Sequence, residues 1–183
     1  MPRIAPIDVP NADAGVQATL SAVKAKIGMV PNLFTTFARS PAVLNGYLAL
    51  SESLGAGVLT AKQREIIALA VGQVNECQYC LSAHTLMGKG AGLSAEGIRK
   101  AREGGAESDI DAAVAAFARR VADTRGQVAD ADLAAARSAG LGDAHIIEVI
   151  GNVAINVLTN YTNNVALTDI DFPKVDVRQR PAA

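Results

Sequence analysis

What most constrains this chain is its punctuation: apolar runs at helical spacing, opened by capping residues or proline and closed by glycine. Val16, Leu20, Val23 and Ile27 recur three or four apart and run into Gly28, a residue suited to the left-handed end of a helix. Pro31 opens a short segment with Leu33, Phe34 and Phe37. Pro41 opens the next, with Val43, Leu44, Tyr47, Leu48 and Leu50 before Gly55-Ala56-Gly57; proline is tolerated in a first helical turn. Thr60-Ala61-Lys62-Gln63 has the form of a capping box ahead of Ile66, Ile67, Leu69, Ala70, Val71 and Val74.

Further helices are predicted from Tyr79 to Met87, from Ser94 to Arg102, from Ile110 to Thr124, from Asp130 to Ser138 and from Ala144 to about Leu167. Asn11 is expected to cap the first helix and Asp130 the short Ala-rich one, with Gly88, Gly90 and Gly92 ending the helix after the cysteines. On the long last helix Ile146, Ile147, Val149, Ile150, Val153, Val157 and Tyr161 are expected on the apolar side. No strand-like alternation competes with this pattern. The fold class is therefore predicted as all-α, a single-domain helical bundle over residues 11–170. A proline-bearing extended arm, residues 1–10, precedes it, and a tail, residues 171–183, is expected to be loose or to wrap a neighbour.

Composition narrows the partners. The length of 183 residues suits one domain with a sizeable core. Half the residues are apolar but only 4% are aromatic, so the core is built of small aliphatic side chains. Lys plus Arg number 17 against 18 Asp plus Glu; with no basic field, nucleic acid is not an expected partner. No apolar run reaches the roughly 18 residues needed to span a bilayer, and no signal-peptide core follows Met1-Pro2-Arg3. No membrane partner is expected, and the expected location is cytoplasmic. The surplus of apolar residues favours self-association.

Two cysteines are too few to staple such a domain, but their placement is informative. Cys77 and Cys80 are three apart and His84 is four beyond Cys80, which puts Cys80 and His84 on one helical face. A thiol at a helix N-terminus is acidified by the helix dipole and by free N–H groups, and the thiolate is the reactive form. An imidazole one turn away can handle the proton, and Glu65 on the preceding helix is a candidate to orient it. Plainer readings stand beside this one. The cysteines could be inert core residues. Cys77, Cys80, His84 and Glu65 could hold zinc, with His145 as the other histidine of the chain. Glu65 taken alone reads as an ion-pair partner of Lys62, Tyr79 as packing with its hydroxyl at the rim, and Ile66, Leu69, Val74 and Leu81 as either an apolar approach or core.

The pattern Arg64-Glu65-Ile66-Ile67, then Cys77-x-x-Cys80-x-x-x-His84 followed by Gly88 and Gly90, resembles the alkylhydroperoxidase D-like branch of the carboxymuconolactone decarboxylase superfamily. In both, the Glu lies twelve before the first Cys. Gly28-Met29-Val30-Pro31-Asn32-Leu33-Phe34 is similar to a segment of the branch members called peroxidase-related enzymes. The resemblance implies a helical fold assembling into trimers or hexamers, and a thiol peroxidase that uses neither metal nor cofactor. It would reduce hydrogen peroxide or alkyl hydroperoxides with electrons from a dithiol or lipoyl-type reductant.

By the same resemblance Cys80 would be the peroxidatic cysteine, Cys77 the resolving one, and His84 with Glu65 the proton relay. The chain departs from the family at Tyr79, where the well-studied peroxidases have a second His. The superfamily's decarboxylases lack the cysteine pair, so their lactone chemistry does not carry over. Two rivals stay open: a disulfide carrier between a dithiol and a partner protein, and a non-catalytic helical module with a metal-held or inert pair.

Overall fold

The computed structural model describes residues 1–177, and among them the regular structure is helical throughout. A short 3-10 turn, Val9–Asn11, leads into α1 (Ala14–Ile27), α2 (Asn32–Phe37), α3 (Pro41–Gly55), α4 (Ala61–Val74), α5 (Gln78–Gly90), α6 (Ala95–Arg102), α7 (Asp109–Thr124), α8 (Asp130–Ser138) and α9 (Asp143–Ala166). No single helix among the described residues is long and apolar enough to cross a membrane.

α4 is the pillar, packed by α5, α6, α7 and α9. Its start is held by the expected capping box: the Gln63 N–H donates to Thr60 Oγ1 and the Thr60 N–H to Gln63 Oε1. From Ile66 to Val71 every residue is buried, as a helix that is apolar on all sides must be. Its two sides feed different clusters. Ile67 and Val71 join Val114, Phe117, Leu141, Val149 and Val153, whereas Ile66 and Leu69 join Leu81, Ile98 and Ala115. Ile66, Leu69 and Leu81 are thus closed core and provide no apolar approach. A third cluster, from Leu20, Phe37 and Leu44, surrounds Cys77, Tyr79 and Cys80.

Several helix ends differ from expectation. Asp13, not Asn11, caps α1 by accepting from the Gly15 N–H, because Asn11 is used one turn earlier on the Asp8 carboxylate. Asp130 lies inside α8, whose first turn is closed by Asp132 accepting from the Ala129 N–H at 3.0 Å. Gly88 and Gly90 are within α5. At Gly88 the missing side chain matters: a Cβ there would meet Leu93 at 3.0 Å and approach Glu65 Cβ at 3.9 Å, so the glycine lets α5 run close to α4.

Both terminal segments lie on the body. Arg39 donates to the carbonyls of Ala5 and Pro6, and the Ile7 N–H donates to the Thr35 carbonyl. The described part of the tail is not loose. Asp171 accepts from the Asn32 N–H, the Val175 N–H donates to Ser82 Oγ, and Arg102 donates to the Asp176 carbonyl. The rest of the predicted tail, 178–183, lies outside the described residues.

Candidate active site

The turn between α4 and α5 builds the site. Glu76 takes the left-handed conformation, φ 51°, and the Cys77 N–H donates back to the Gly72 carbonyl at 2.9 Å. Cys77 is then the N-cap of α5, its Sγ accepting from the Cys80 N–H at 3.3 Å. The two thiols are free and their Sγ atoms stand 2.7 Å apart, so little motion separates them from a disulfide. Both are buried, Cys77 at 0% and Cys80 at 2% exposure.

One turn along α5, His84 Nδ1 is 2.8 Å from Glu65 Oε2. Glu65 therefore serves His84, and the expected pairing with Lys62 is not made. Lys62 reaches Asp111 on α7 at 3.2 Å instead, because the α4–α7 packing puts that carboxylate in its path. Tyr79 differs too. It is buried with its ring edge-on to Phe172 at 5.6 Å, and its hydroxyl accepts from the Leu33 N–H at 3.2 Å. The position where the resembled peroxidases carry a second His is thus occupied by a core residue bonded to α2, not by a rim hydroxyl.

The electrostatics separate the two thiols. Burial alone would raise the Cys80 pKa. The hydrogen bond from Cys77, the charge of His84 and the amides of Asn163 and Asn160 together outweigh it, and the thiol is lowered to about 6. The Cys77 thiol is pushed far up, first because it is the donor to Cys80 and second by burial. For His84, burial works against the imidazolium, but the charge and hydrogen bond of Glu65, helped by Cys80, raise its pKa above the ordinary value. These shifts favour the thiolate form of Cys80 and the protonated form of His84, and hold the Cys77 thiol neutral.

The asparagines of α9 lie outside what the sequence led us to expect. Asn163 Nδ2 donates to Cys80 Sγ at 3.4 Å. Asn160, fully buried, accepts from Asn75 at 2.9 Å, and its own Nδ2 has no full hydrogen bond elsewhere. With Asn152 and Asn156 they form a buried stripe on α9. A signal was present: asparagines at 152, 156, 160 and 163, spaced four, four and three, lie on one helical face of an otherwise apolar helix. Ile146, Val149 and Val153 are buried as expected, whereas Ile147, Ile150 and Tyr161 turn outward.

A cavity of about 180 Å³ opens between α3, α4, α5 and α9. Glu65, His84, Tyr47 and Arg64 line it together with the Asn152–Thr159 stretch of α9. Tyr47, also missed, packs on Phe34 and Phe37 at 5.7 and 5.3 Å. Its hydroxyl pKa is pushed up to about 12, by burial first and then by the negative charges of Cys80 and Glu65. Among the described residues no three His, Cys, Asp or Glu side chains converge in a metal-holding arrangement, so the zinc reading has no preformed ligand set here.

Residues 41–124, from α3 to the end of α7, match the carboxymuconolactone decarboxylase family. A stretch of 45 residues is 49% identical to an uncharacterised protein of Haemophilus influenzae, spanning 24% of this chain and 40% of that relative. In three dimensions the chain is similar to the alkylhydroperoxidase core of an uncharacterised peroxidase-related protein from Ralstonia eutropha. The TM-score is 0.83 at 24% identity, covering 93% of this chain and 92% of that one. A peroxidase-related protein from Silicibacter gives 0.78 at 24%, covering 91% of each chain. The debrominase Bmp8, as a cysteine-to-alanine variant in complex with 2,3,4-tribromopyrrole, gives 0.78 at 16%, covering 92% and 91%.

Proposed function

From this resemblance to the alkylhydroperoxidase D-like branch, held both by the family match and by the fold, we propose that the protein is a thiol-dependent peroxidase. The observation that carries the reading is geometric: Cys80 Sγ stands 2.7 Å from Cys77 Sγ, one helical turn before a His84 that is bonded to Glu65. The thiolate attacks the O–O bond of hydrogen peroxide or an alkyl hydroperoxide. One oxygen passes to sulfur as sulfenic acid, while His84 gives a proton to the departing water or alcohol. The Cys77 sulfur then displaces hydroxide from the sulfenic acid, water leaves with the Cys77 proton, and the Cys77–Cys80 disulfide forms. A dithiol of the lipoyl type returns two electrons and two protons, and is itself oxidised to a disulfide.

Burial of both sulfurs favours a small oxidant over a partner protein, which weighs against the disulfide-carrier reading. The test is peroxide consumption with a dithiol reductant. Wild-type protein should turn over without a protein partner and Cys80→Ser should not; activity retained in Cys80→Ser would sink the assignment. The debrominase shows only that proteins of this fold serve more than one chemistry.

Assembly belongs to the same proposal. Ile147, Ile150, Leu158, Tyr161 and Val165 stand exposed along the outer face of α9, and a stripe of that kind associates with its like. A trimer or hexamer is expected in sedimentation, and a monomer would overturn it.

A further inference from the structure

We propose that the cavity beside His84 binds a compact organic carboxylate through Arg64, and that the oxidant reduced here is accordingly a carboxylate-bearing hydroperoxide. The second clause rests on the peroxidase reading, and the first does not. Arg64 lines the cavity and precedes Glu65 on α4. Of the five N–H donors of its guanidinium, one on Nη1 is used on the Leu59 carbonyl. Among the described residues no carboxylate pairs with it, whereas Arg99, Arg119, Arg120 and Arg137 each hold one at 2.5 to 3.5 Å. The nearest acid in sequence, Glu65, is taken by His84.

The anchor is held from below. Glu148 accepts from the N–H groups of Val58 and Leu59 at 2.8 and 3.1 Å, which orients the loop whose carbonyl positions Arg64. Gly57 is needed there because a Cβ would overlap the Glu148 carboxylate at 2.4 to 2.5 Å. The other donors of the wall are partly spent on their own helix: Asn152 and Asn156 each bond a carbonyl one turn back, and Thr159 bonds the Asn156 carbonyl. What the cavity offers a ligand, beside His84, is therefore the part of the planar Arg64 fork that the Leu59 carbonyl leaves free, a geometry that matches a carboxylate. Leu54, Ala68, Met87 and Ile155 give the remaining wall an apolar character. The volume, about 180 Å³, is below that of a drug-sized site and suits a body no larger than one small substituted ring.

The test is calorimetric titration of reduced wild-type protein with para-isopropylbenzoate and with its neutral isostere para-isopropylbenzamide. The carboxylate should bind at least about tenfold tighter, as a charge-assisted pair implies. Arg64→Gln should erase the difference and Arg64→Lys should keep part of it. Equal binding of the two probes by the wild type overturns the proposal with no variant needed, and so does discrimination that survives in Arg64→Gln. Turnover of cumene hydroperoxide against its para-carboxylated analogue separates the two readings. A lower KM for the carboxylated peroxide supports the inference, and equal KM values overturn the substrate preference while leaving the peroxidase reading standing. Carboxylate binding with neither peroxide reduced removes the peroxidase reading and leaves the binding site in place.

Discussion

The inner and outer faces of α9 both depart from the usual order. Inside, Asn152, Asn156, Asn160 and Asn163 stand among the buried Ile146, Val149, Val153 and Ile155; outside, where a helix normally shows polar groups, stand Ile147, Ile150, Leu158, Tyr161 and Val165. Burying a polar amide costs free energy unless it is hydrogen-bonded, and here the bonds go to helix carbonyls, to Asn75 and to the Cys80 sulfur. The contrast teaches that buried polarity is placed on the side of α9 that meets the Cys80 sulfur and the cavity beside His84. The aliphatic surface faces outward, where the proposed assembly would cover it.

The largest effect expected on the inner side comes from Glu65→Gln. His84 then loses the charge and the bond that raise its pKa, Cys80 loses its cation, and peroxide reduction should fall about 100-fold in steady-state assays. Next is the double variant Asn160→Leu with Asn163→Leu. The midpoint for alkylation of Cys80 by iodoacetamide, expected at about 6 in the wild type, should rise by roughly two pH units. Asn163→Leu alone should move it by roughly one. An unchanged midpoint in the double variant would mean that the inner face has no part in the chemistry.

pH itself sharpens the comparison. Cys80 has a lowered pKa, so its contribution to stability is present above the ordinary thiol value and is lost as pH falls through about 6. His84 has a raised pKa, so its contribution is full below its ordinary value of 6.5 and is lost as pH rises through the raised one. The thiolate–imidazolium pair should therefore stabilise reduced protein most between those limits. Urea unfolding across pH should show that maximum in the wild type and not in Cys80→Ser. The smallest effect is expected outside: Val165→Ser, 61% exposed, should change the stability of an isolated protomer by less than about 0.5 kcal/mol. A larger loss in the assembled form would locate the interface on this face.

Much of this was legible in the chain because it is local. Proline, glycine and capping residues mark helix ends through backbone conformations that need no distant partner, so the all-α bundle and the bounds of α3, α4 and α6 could be read to within a residue or two. The phase of Cys77, Cys80 and His84 follows from helical geometry in the same way. Pairings across helices were legible only in part: Glu65 was a candidate to orient His84, and it does so. Lys62 lies one turn from Glu65 and still bonds Asp111, and Tyr79 looks like a rim residue until the tail lays Phe172 against it. The buried asparagines raised no expectation because polarity by itself does not reveal which side of a helix meets a cysteine.

By itself the sequence determined the helices, their order and the cysteine–histidine face, since these depend on spacing along one backbone. Only the tertiary structure decided that Lys62 turns from Glu65 to Asp111, that Asn163 reaches the Cys80 sulfur, and that Arg64 lines a cavity with no carboxylate paired to it among the described residues. Each of those depends on the relative rotation of packed helices, which is set by the fit of whole surfaces and not by any one segment.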